Sequence, residues 1–325
     1  MIISDELFFL EIESELANKK KWVVALSGGA DSLCLTLLAN VYAKKNNIEL
    51  FACIVDHRLR KESSTEIIPA IELLRKNNIT HKIFVWNHPE KIVSNIEKKA
   101  RIVRYEFLYQ YCREVSSSVL MTAHHALDQW ETFFMRLSKG SSLKGLSCIK
   151  KISKFDDIFL ARPMLNFSPD DIKETLKQRF KITKYVNDPS NKELRFERAR
   201  WRTAYEDMSE KYGLSIASVN KSIERIQASN DCIIEISESL SKQIFDGSYL
   251  NIKEFQSLHL ELKIRILDNI LSNLLPQKNR IISYSLLKVT SQKICEKSFV
   301  ATNLSGLILK KDKTKNVKIY EENRF

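Results

Sequence analysis

The stretch LSGGADS occupies residues 26–32, between the apolar run WVVA and the helix-like segment DSLCLTLLANVYAKK. The chain has only seven glycines in 325 residues, yet two stand side by side here. Adjacent glycines let successive backbone N–H groups point into one concavity, and a following helix favours negative charge at its N-terminus. The stretch therefore predicts a phosphate cradle, with a tight turn that binds nothing as the alternative. The G-x4-G-K-[ST] spacing and lysine of a Walker A loop are missing.

Short apolar runs alternate with helix-like segments after residue 21. The runs have the length of buried parallel strands, which predicts an α/β fold with a doubly wound, mostly parallel sheet. Ligands of such sheets bind beyond the carboxyl ends of the strands, so we expect SGGADS, VDHRLR and TAHHALDQ to converge on one crevice. The four runs are WVVAL (22–26), LFACIVD (50–56), HKIFVW (81–86) and SVLMTA (118–123).

A change of character after residue 189 predicts a second, smaller domain. Helix formers dominate 192–245, and 298–320 has the pattern of short strands with a lysine-rich stretch. We place the boundary near residue 212, giving a catalytic domain over 1–212 and a basic, mainly helical domain over 213–325.

The net charge and the spacing of the cysteines indicate which partners and metal sites to expect. A formal net charge of +12 favours a polyanionic partner. No apolar run is long enough to span a membrane and the N-terminus is acidic, so we expect a cytoplasmic protein. Six widely spaced cysteines without a C-x2-C pair suggest neither a zinc nor an iron–sulfur site.

Residues 27–32 match the S-G-G-x-D-S loop of the N-type ATP pyrophosphatases, and the chain resembles that family. The resemblance implies an adenine nucleotide α-hydrolase-like PP-loop domain. In that superfamily the loop holds the β,γ-pyrophosphate while ATP is split at its α-phosphate, which implies ATP and Mg²⁺ as cofactors and adenylation of a substrate.

Further segments resemble the tRNA(Ile)-lysidine synthetases in order and approximate spacing. This resemblance implies that an isoleucine tRNA with a CAU anticodon is adenylated at the C2 oxygen of its wobble cytidine. Free L-lysine then displaces AMP, and the C-terminal domain binds the tRNA. A homodimer is left open. The segments are VDHRLR (55–60), ARIVRYEFL (100–108), TAHHALDQWET (122–132), RLSKGSSLKGL (136–146), RPML (162–165) and DPSNKELRFERARWR (188–202).

Matching the family residue by residue assigns three sets of site residues. We expect Asp31 also to be the Mg²⁺ partner. The residues expected in catalysis are Asp31, Arg104, His125 and Asp128. Those expected to bind ATP are Ser27, Gly28, Gly29, Asp31, Ser32, Asp56 and His57. Those expected to contact tRNA or lysine are Arg101, Arg104, Asp128, Glu131, Arg136, Lys139, Arg198 and Arg202.

Simpler explanations stand beside these roles. Asp31 has the position of an ordinary helix-dipole partner, His57 that of a loop histidine, and the arginines that of solvated surface. Trp201 and Phe196 have the spacing of core residues as well as of base-stacking ones. The chain also departs from its family at Leu127, where an acidic residue is usual.

Three other functions remain as alternatives. A tRNA cytidine thiolase would be expected to carry paired cysteines or a cluster, and a small-molecule amidotransferase would need an ammonia source. A catalytically inactive RNA-binding relative is the third, with Leu127 as its main support.

Overall fold

The structure is a computed structural model that describes residues 1–12, 14–58, 63–87, 96–187, 197–275, 282–314 and 316–321. The strands are β1 (Lys21–Leu26), β2 (Glu49–Asp56), β3 (Thr80–Val85), β4 (Val119–Met121), β5 (Ile152–Phe155), β6 (Ile158–Ala161), β7 (Tyr249–Leu250), β8 (Ala301–Leu304), β9 (Leu307–Lys311) and β10 (Val317–Glu321). The helices are α1 (Asp5–Leu10), α2 (Ser14–Ala17), α3 (Ala30–Lys45), α4 (Ser63–Glu66), α5 (Ile68–Lys76), α6 (Ile96–Glu114), α7 (Ala126–Leu137), α8 (Leu143–Leu146), α9 (Pro169–Gln178), α10 (Glu197–Tyr212), α11 (Ile216–Ile244), α12 (Ile252–Ser257), α13 (Leu260–Leu274) and α14 (Tyr284–Ile294).

The large sheet has the strand order β3-β2-β1-β4-β6-β5. Strand β1 pairs in parallel with β2 on one side and with β4 on the other. The chain therefore reverses its direction of travel across the sheet at β1, and a crevice opens beyond the carboxyl ends of β1 and β4. The predicted doubly wound α/β fold is confirmed, and the glycine loop leaves the sheet at this switch point.

Helix α3 lies in the middle of the main core. Twelve of its 16 residues are buried, far more than the apolar stripe of a surface helix, because β1, β2, α1 and α9 pack around it. On the strand side, the ring of Trp22 stacks on that of Tyr42 with the ring centres 5.1 Å apart. The helix that follows the glycine loop is thus fixed from several directions.

The hairpin of β5 and β6 extends the sheet beyond the four predicted strands. Strand β6 pairs in parallel with β4, and β5 pairs antiparallel with β6 at the edge. The turn between them contains Asp156, whose φ of +51° is unusual for a residue other than glycine. This hairpin was not predicted, because each strand has only four residues and the turn lacks a glycine.

The chain divides into two compact units. The first contains residues 1–141 and 146–223, and the second contains residues 142–145 and 224–325. The division falls inside α11, because the first turns of this helix bury Val219 and Ile223 against Leu127 and Trp130 in the first unit. The predicted division into folding domains at residue 212 stays a prediction.

The second unit combines helices with a small antiparallel sheet of order β7-β10-β9-β8. One face of this sheet packs with α12, α13 and α14 around Phe255, Leu267 and Leu309. Its mainly helical character and its late, lysine-rich strands agree with the sequence pattern. In the described parts of both units, no helix has the length and apolarity needed to cross a membrane.

All six cysteines are free thiols. Four are buried, and burial raises the pKa of Cys34, Cys53 and Cys112 to about 12. Cys232 on α11 is exposed.

Truncation of Leu35 in α3 tests the central position of this helix. Leu35→Ala is expected to lower the free energy of unfolding by about 2–5 kcal/mol, because the side chain is fully buried and its loss leaves a cavity. The matched control Leu10→Ala, on exposed surface of α1, is expected to change it by about 0.5 kcal/mol or less. Urea unfolding measures both, and equal losses would contradict the packing described here.

Candidate active site

The glycine loop between β1 and α3 is held together by its own serines. The Ser27 N–H donates to Ser32 Oγ at 3.1 Å, and the Ser32 hydroxyl donates to the Gly29 carbonyl oxygen at 3.1 Å. The two serine hydroxyl oxygens lie 3.0 Å apart. These bonds fix the loop against the first turn of α3, whose leading N–H groups have no acceptor within the helix. The loop therefore presents a set of donors suited to an anion.

Gly28 is the position where the loop requires a glycine. Its φ is +85°, and a Cβ added there would lie 3.0 Å from Val186 Cγ2. The Val186 N–H donates to the Gly28 carbonyl oxygen at 3.1 Å, so the segment before residue 188 passes directly over the loop. Gly29 is extended and has ordinary space around it. Val186 belongs to none of the sequence motifs, because its contact with the loop follows from tertiary packing alone.

His125 connects the ends of two strands. Its Nε2 lies 3.8 Å from Asp31 Oδ2 in the first turn of α3, and its Nδ1 lies 3.5 Å from Asp128 Oδ2 in the first turn of α7. The His125 N–H also donates to Asp128 Oδ2 at 2.9 Å. The structure thus brings together three of the four residues predicted to be catalytic.

The two carboxyl groups beside His125 differ in their environment. The Asp31 side chain is 41% exposed, and partial withdrawal from water raises its pKa, which His125 only partly offsets. Burial alone would raise the pKa of Asp128 too, but His125, whose backbone N–H also donates to the carboxylate, and the Arg198 guanidinium hold it below its usual value. Asp128 is therefore ionised at neutral pH.

Helix α10 brings arginines to α7. Arg202 Nε donates to Glu131 Oε1 at 2.7 Å, and Arg198 Nη1 lies 3.9 Å from Asp128 Oδ1. The Glu131 side chain is fully buried, and burial raises its pKa. Since Glu131 already binds Arg202 beneath the surface, direct contact of either residue with substrate stays a prediction, and the pair joins α7 to α10.

Arg101 and Arg104 lie on α6. The Arg101 guanidinium stacks over the Tyr105 ring at 5.1 Å, while withdrawal from water lowers the pKa of Arg104. Burial lowers the pKa of nearby His124 to about 3, and repulsion by these arginines adds to the shift. His124 is neutral, with its Nδ1 3.0 Å from Thr122 Oγ1. A positively charged group of side chains therefore stands next to the histidine pair.

Asp56 and His57 stand at the carboxyl end of β2. Asp56 is buried and accepts the Arg58 N–H at 2.9 Å, and the His57 ring meets the Trp86 ring edge to face at 6.0 Å. Asp56 thus shapes the turn after β2. Their expected part in binding ATP stays a prediction.

Arg136 and Lys139 lie at the end of α7 and just beyond it. Arg136 Nη1 donates to the Cys148 carbonyl oxygen at 3.4 Å, and Lys139 Nζ forms a 2.7 Å ion pair with Glu197. The Lys139 pair is exposed, where such pairs contribute little to stability and exchange readily. Contact of Arg136 and Lys139 with RNA stays a prediction. Arg195 and Phe196 lie outside the described residues.

The family model for an ATP-binding PP-loop domain matches residues 6–206. The chain is 32% identical over 304 residues to the tRNA(Ile)-lysidine synthase of Rickettsia prowazekii, an alignment that covers 91% of this chain and 70% of the relative. The chain belongs to the tRNA(Ile)-lysidine synthase family.

A second relative in this family, from Wolbachia pipientis wMel, is 29% identical over 321 residues, which is 94% of this chain and 72% of the relative. Among solved structures, a U34-tRNA thiolase from Methanococcus maripaludis with its [4Fe-4S] cluster matches with a TM-score of 0.57 and 20% identity. That match covers 69% of this chain and 80% of the thiolase. At this identity the match supports the fold alone.

Leu127, the departure from the lysidine synthase family pattern, belongs to the core in this structure. It is buried in a cluster with Trp130, Val219 and Ile223. Trp201 packs in the same cluster, with its ring stacked on Phe134 at 5.7 Å. The interpretation of Trp201 as a core residue is therefore favoured over base stacking.

Gly28→Ala tests the fit of Val186 over the loop. We expect at least a tenfold loss of affinity for α,β-methylene-ATP, because the new Cβ meets Val186 and the loop must move. The control Gly213→Ala has a similar left-handed backbone, φ +65°, with nothing within 4 Å of the new Cβ. It is expected to lose about 1–2 kcal/mol of stability while keeping its affinity. Calorimetry measures both affinities, and an unchanged value for Gly28→Ala would refute the constraint.

Arg202→Met tests the buried ion pair. Without Arg202 the pKa of Glu131 rises further, so the folded variant is penalised more as pH rises above the usual carboxyl pKa. We expect Arg202→Met to lower the free energy of unfolding by about 3 kcal/mol at pH 8 and by less at pH 5. Arg200→Met, on exposed surface of the same helix, is the control. Unfolding curves at both pH values measure the difference, and a pH-independent loss would contradict it.

Proposed function

We propose that this chain ligates lysine to C2 of the wobble cytidine of an isoleucine tRNA with a CAU anticodon, through an adenylated tRNA. Family membership supports the reaction. The observation that carries it in this structure is the contact of His125 with both Asp31 and Asp128, directly beside the glycine loop. This arrangement places an anion cradle and an ionised carboxylate next to one another.

The first step joins the tRNA to AMP. The cytidine C2 oxygen attacks the α-phosphorus of ATP, an O–P bond forms, and the bond to pyrophosphate breaks. The loop of Ser27, Gly28, Gly29 and Ser32 would hold the leaving pyrophosphate through backbone and hydroxyl donors. Arg101 and Arg104, whose charges act on His124, would neutralise phosphate charge or orient the base.

The second step forms the C–N bond. The ε-amine of lysine attacks C2, the C2–O bond breaks, and AMP leaves. Asp128 suits the lysine ammonium because its pKa is low and it remains an anion at neutral pH. The amine must lose a proton before it attacks, and His125, between two carboxyl groups, is placed to accept it.

The residues present fit a magnesium ion bound mainly through ATP. In the described parts of the chain no three His, Cys, Asp or Glu residues are grouped as metal ligands, so the phosphates and water would supply most of the shell. Asp31 is the partner expected from the protein, with an oxygen ligand exposed beside the loop. When bound, the ion neutralises charge on the phosphates.

Leu127 was the main support for the alternative that the chain is an inactive relative. The position of Leu127 in the structure removes that support. The side chain lies in the apolar cluster of α7 and α11, so the missing carboxylate reflects core packing at this position. Asp31, His125 and Asp128 remain together without it.

Incorporation of radiolabelled lysine into an isoleucine tRNA transcript with a CAU anticodon tests the proposal. We expect labelling that requires ATP, and a loss of about a hundredfold or more in Asp31→Asn, because the carboxylate expected to hold Mg²⁺ is replaced by a neutral amide. Asp170→Asn is the matched control, since Asp170 is also the second residue of a helix, α9, and is exposed.

Two results would count against the proposal. If Asp170→Asn and Asp31→Asn behave alike, Asp31 is only a helix-dipole partner. If the folded native protein binds the tRNA but incorporates no lysine, the substrate of adenylation is another molecule.

A further inference from the structure

The small sheet of the second unit has one face that no described residue of that unit covers. In β9 and β10 the side chains of Leu309, Val317 and Ile319 are buried on one side of the sheet. The opposite positions are exposed or half-buried. The side chains on this open face are Tyr249, Ala301, Asn303, Ile308, Lys310, Lys318 and Tyr320.

Two lysines occupy the centre of the open face. Lys310 and Lys318 are direct partners across the antiparallel pair of β9 and β10. Side chains at such positions lie close together, and like charges there destabilise the sheet. None of the described strand residues on this face is acidic. By register the next carboxylate is Asp312, and its oxygens already bind Thr314 and Asn316 within the turn. An anion bridging the two lysines would remove this repulsion.

Aromatic rings flank the lysines. Lys318 Nζ lies 5.7 Å from the centre of the Tyr249 ring and 5.8 Å from that of Tyr320. Tyr320 is 37% exposed although it belongs to a regular strand. Flat rings beside cations on an open sheet offer unpaired bases a stacking surface and offer their phosphates a counter-charge. A protein partner would not require two paired lysines with aromatic rings beside them.

We propose that the open face of this sheet binds unpaired nucleotides of the tRNA, with Lys310 and Lys318 on the phosphates and Tyr320 on a base. The proposal rests on the proposed function for the identity of the RNA. It deepens that function by assigning a contact outside the site around His125.

Equilibrium binding of a fluorescent isoleucine tRNA transcript, without ATP or lysine, tests the face separately from the reaction. The variant Lys310→Gln with Lys318→Gln is expected to bind about tenfold more weakly, and its salt dependence should lose about 1.5 in log–log slope. The unfolding midpoint of this double variant should not fall, because the repulsion between the two lysines is removed. The control Lys288→Gln with Lys293→Gln removes the same charge from exposed positions of α14 and should change affinity less than about threefold.

Two substitutions of Tyr320 test whether its ring stacks on a base. Tyr320→Leu should weaken binding about five- to tenfold, while Tyr320→Phe should bind as the native protein does, since only the ring is needed. On the native protein, acetylation with and without tRNA should show Lys310 and Lys318 protected and Lys288 and Lys293 unprotected.

The proposal is overturned if both double-lysine variants weaken binding equally, which would indicate only general attraction to the basic unit. It is also overturned if tRNA leaves Lys310 and Lys318 fully reactive. Self-association that Tyr320→Leu abolishes, with tRNA affinity unchanged, would reassign the face to a second copy of the chain. Failure of lysine incorporation with these binding results intact would refute the proposed function alone.

Discussion

The candidate site depends on the absence of a side chain at Gly28. Val186 contacts this left-handed residue through one hydrogen bond, and a Cβ at Gly28 would lie only 3.0 Å from Val186 Cγ2. The loop is thereby held between α3 below it and the segment before residue 188 above it. A donor set for an anion must be rigid to be effective, because donors that reorganise on binding lose much of their advantage.

A chain of charged contacts extends from this loop through the first unit. His125 joins Asp31 to Asp128, Arg198 approaches Asp128, and Arg202 binds the buried Glu131. Glu131 is buried and its ion pair with Arg202 joins α7 to α10, while a contact of these residues with substrate stays a prediction. Two carboxylates three residues apart on one helix thus have different neighbours, since Asp128 lies beside His125 and Glu131 binds Arg202.

Much of this could be predicted from local sequence. The strands β1 to β4, the loop at the switch point and the meeting of His125 with Asp31 follow from apolar runs and from the rule for parallel sheets. The hairpin of β5 and β6 could not be predicted, because four-residue strands and a turn through Asp156 leave almost no pattern. The cover provided by Val186 and the burial of Leu127 and Glu131 depend on which faces meet in three dimensions. Local sequence does not encode that information.

Because its thiols differ in exposure, the protein can be labelled selectively at one cysteine. With a pKa of about 12, each of Cys34, Cys53 and Cys112 is a thiolate in only about one molecule in 100,000 at neutral pH, and each is also shielded from reagents. Cys232 is exposed on α11. A maleimide dye should therefore mark the second unit at that position first, giving a site-specific probe without any engineered residue.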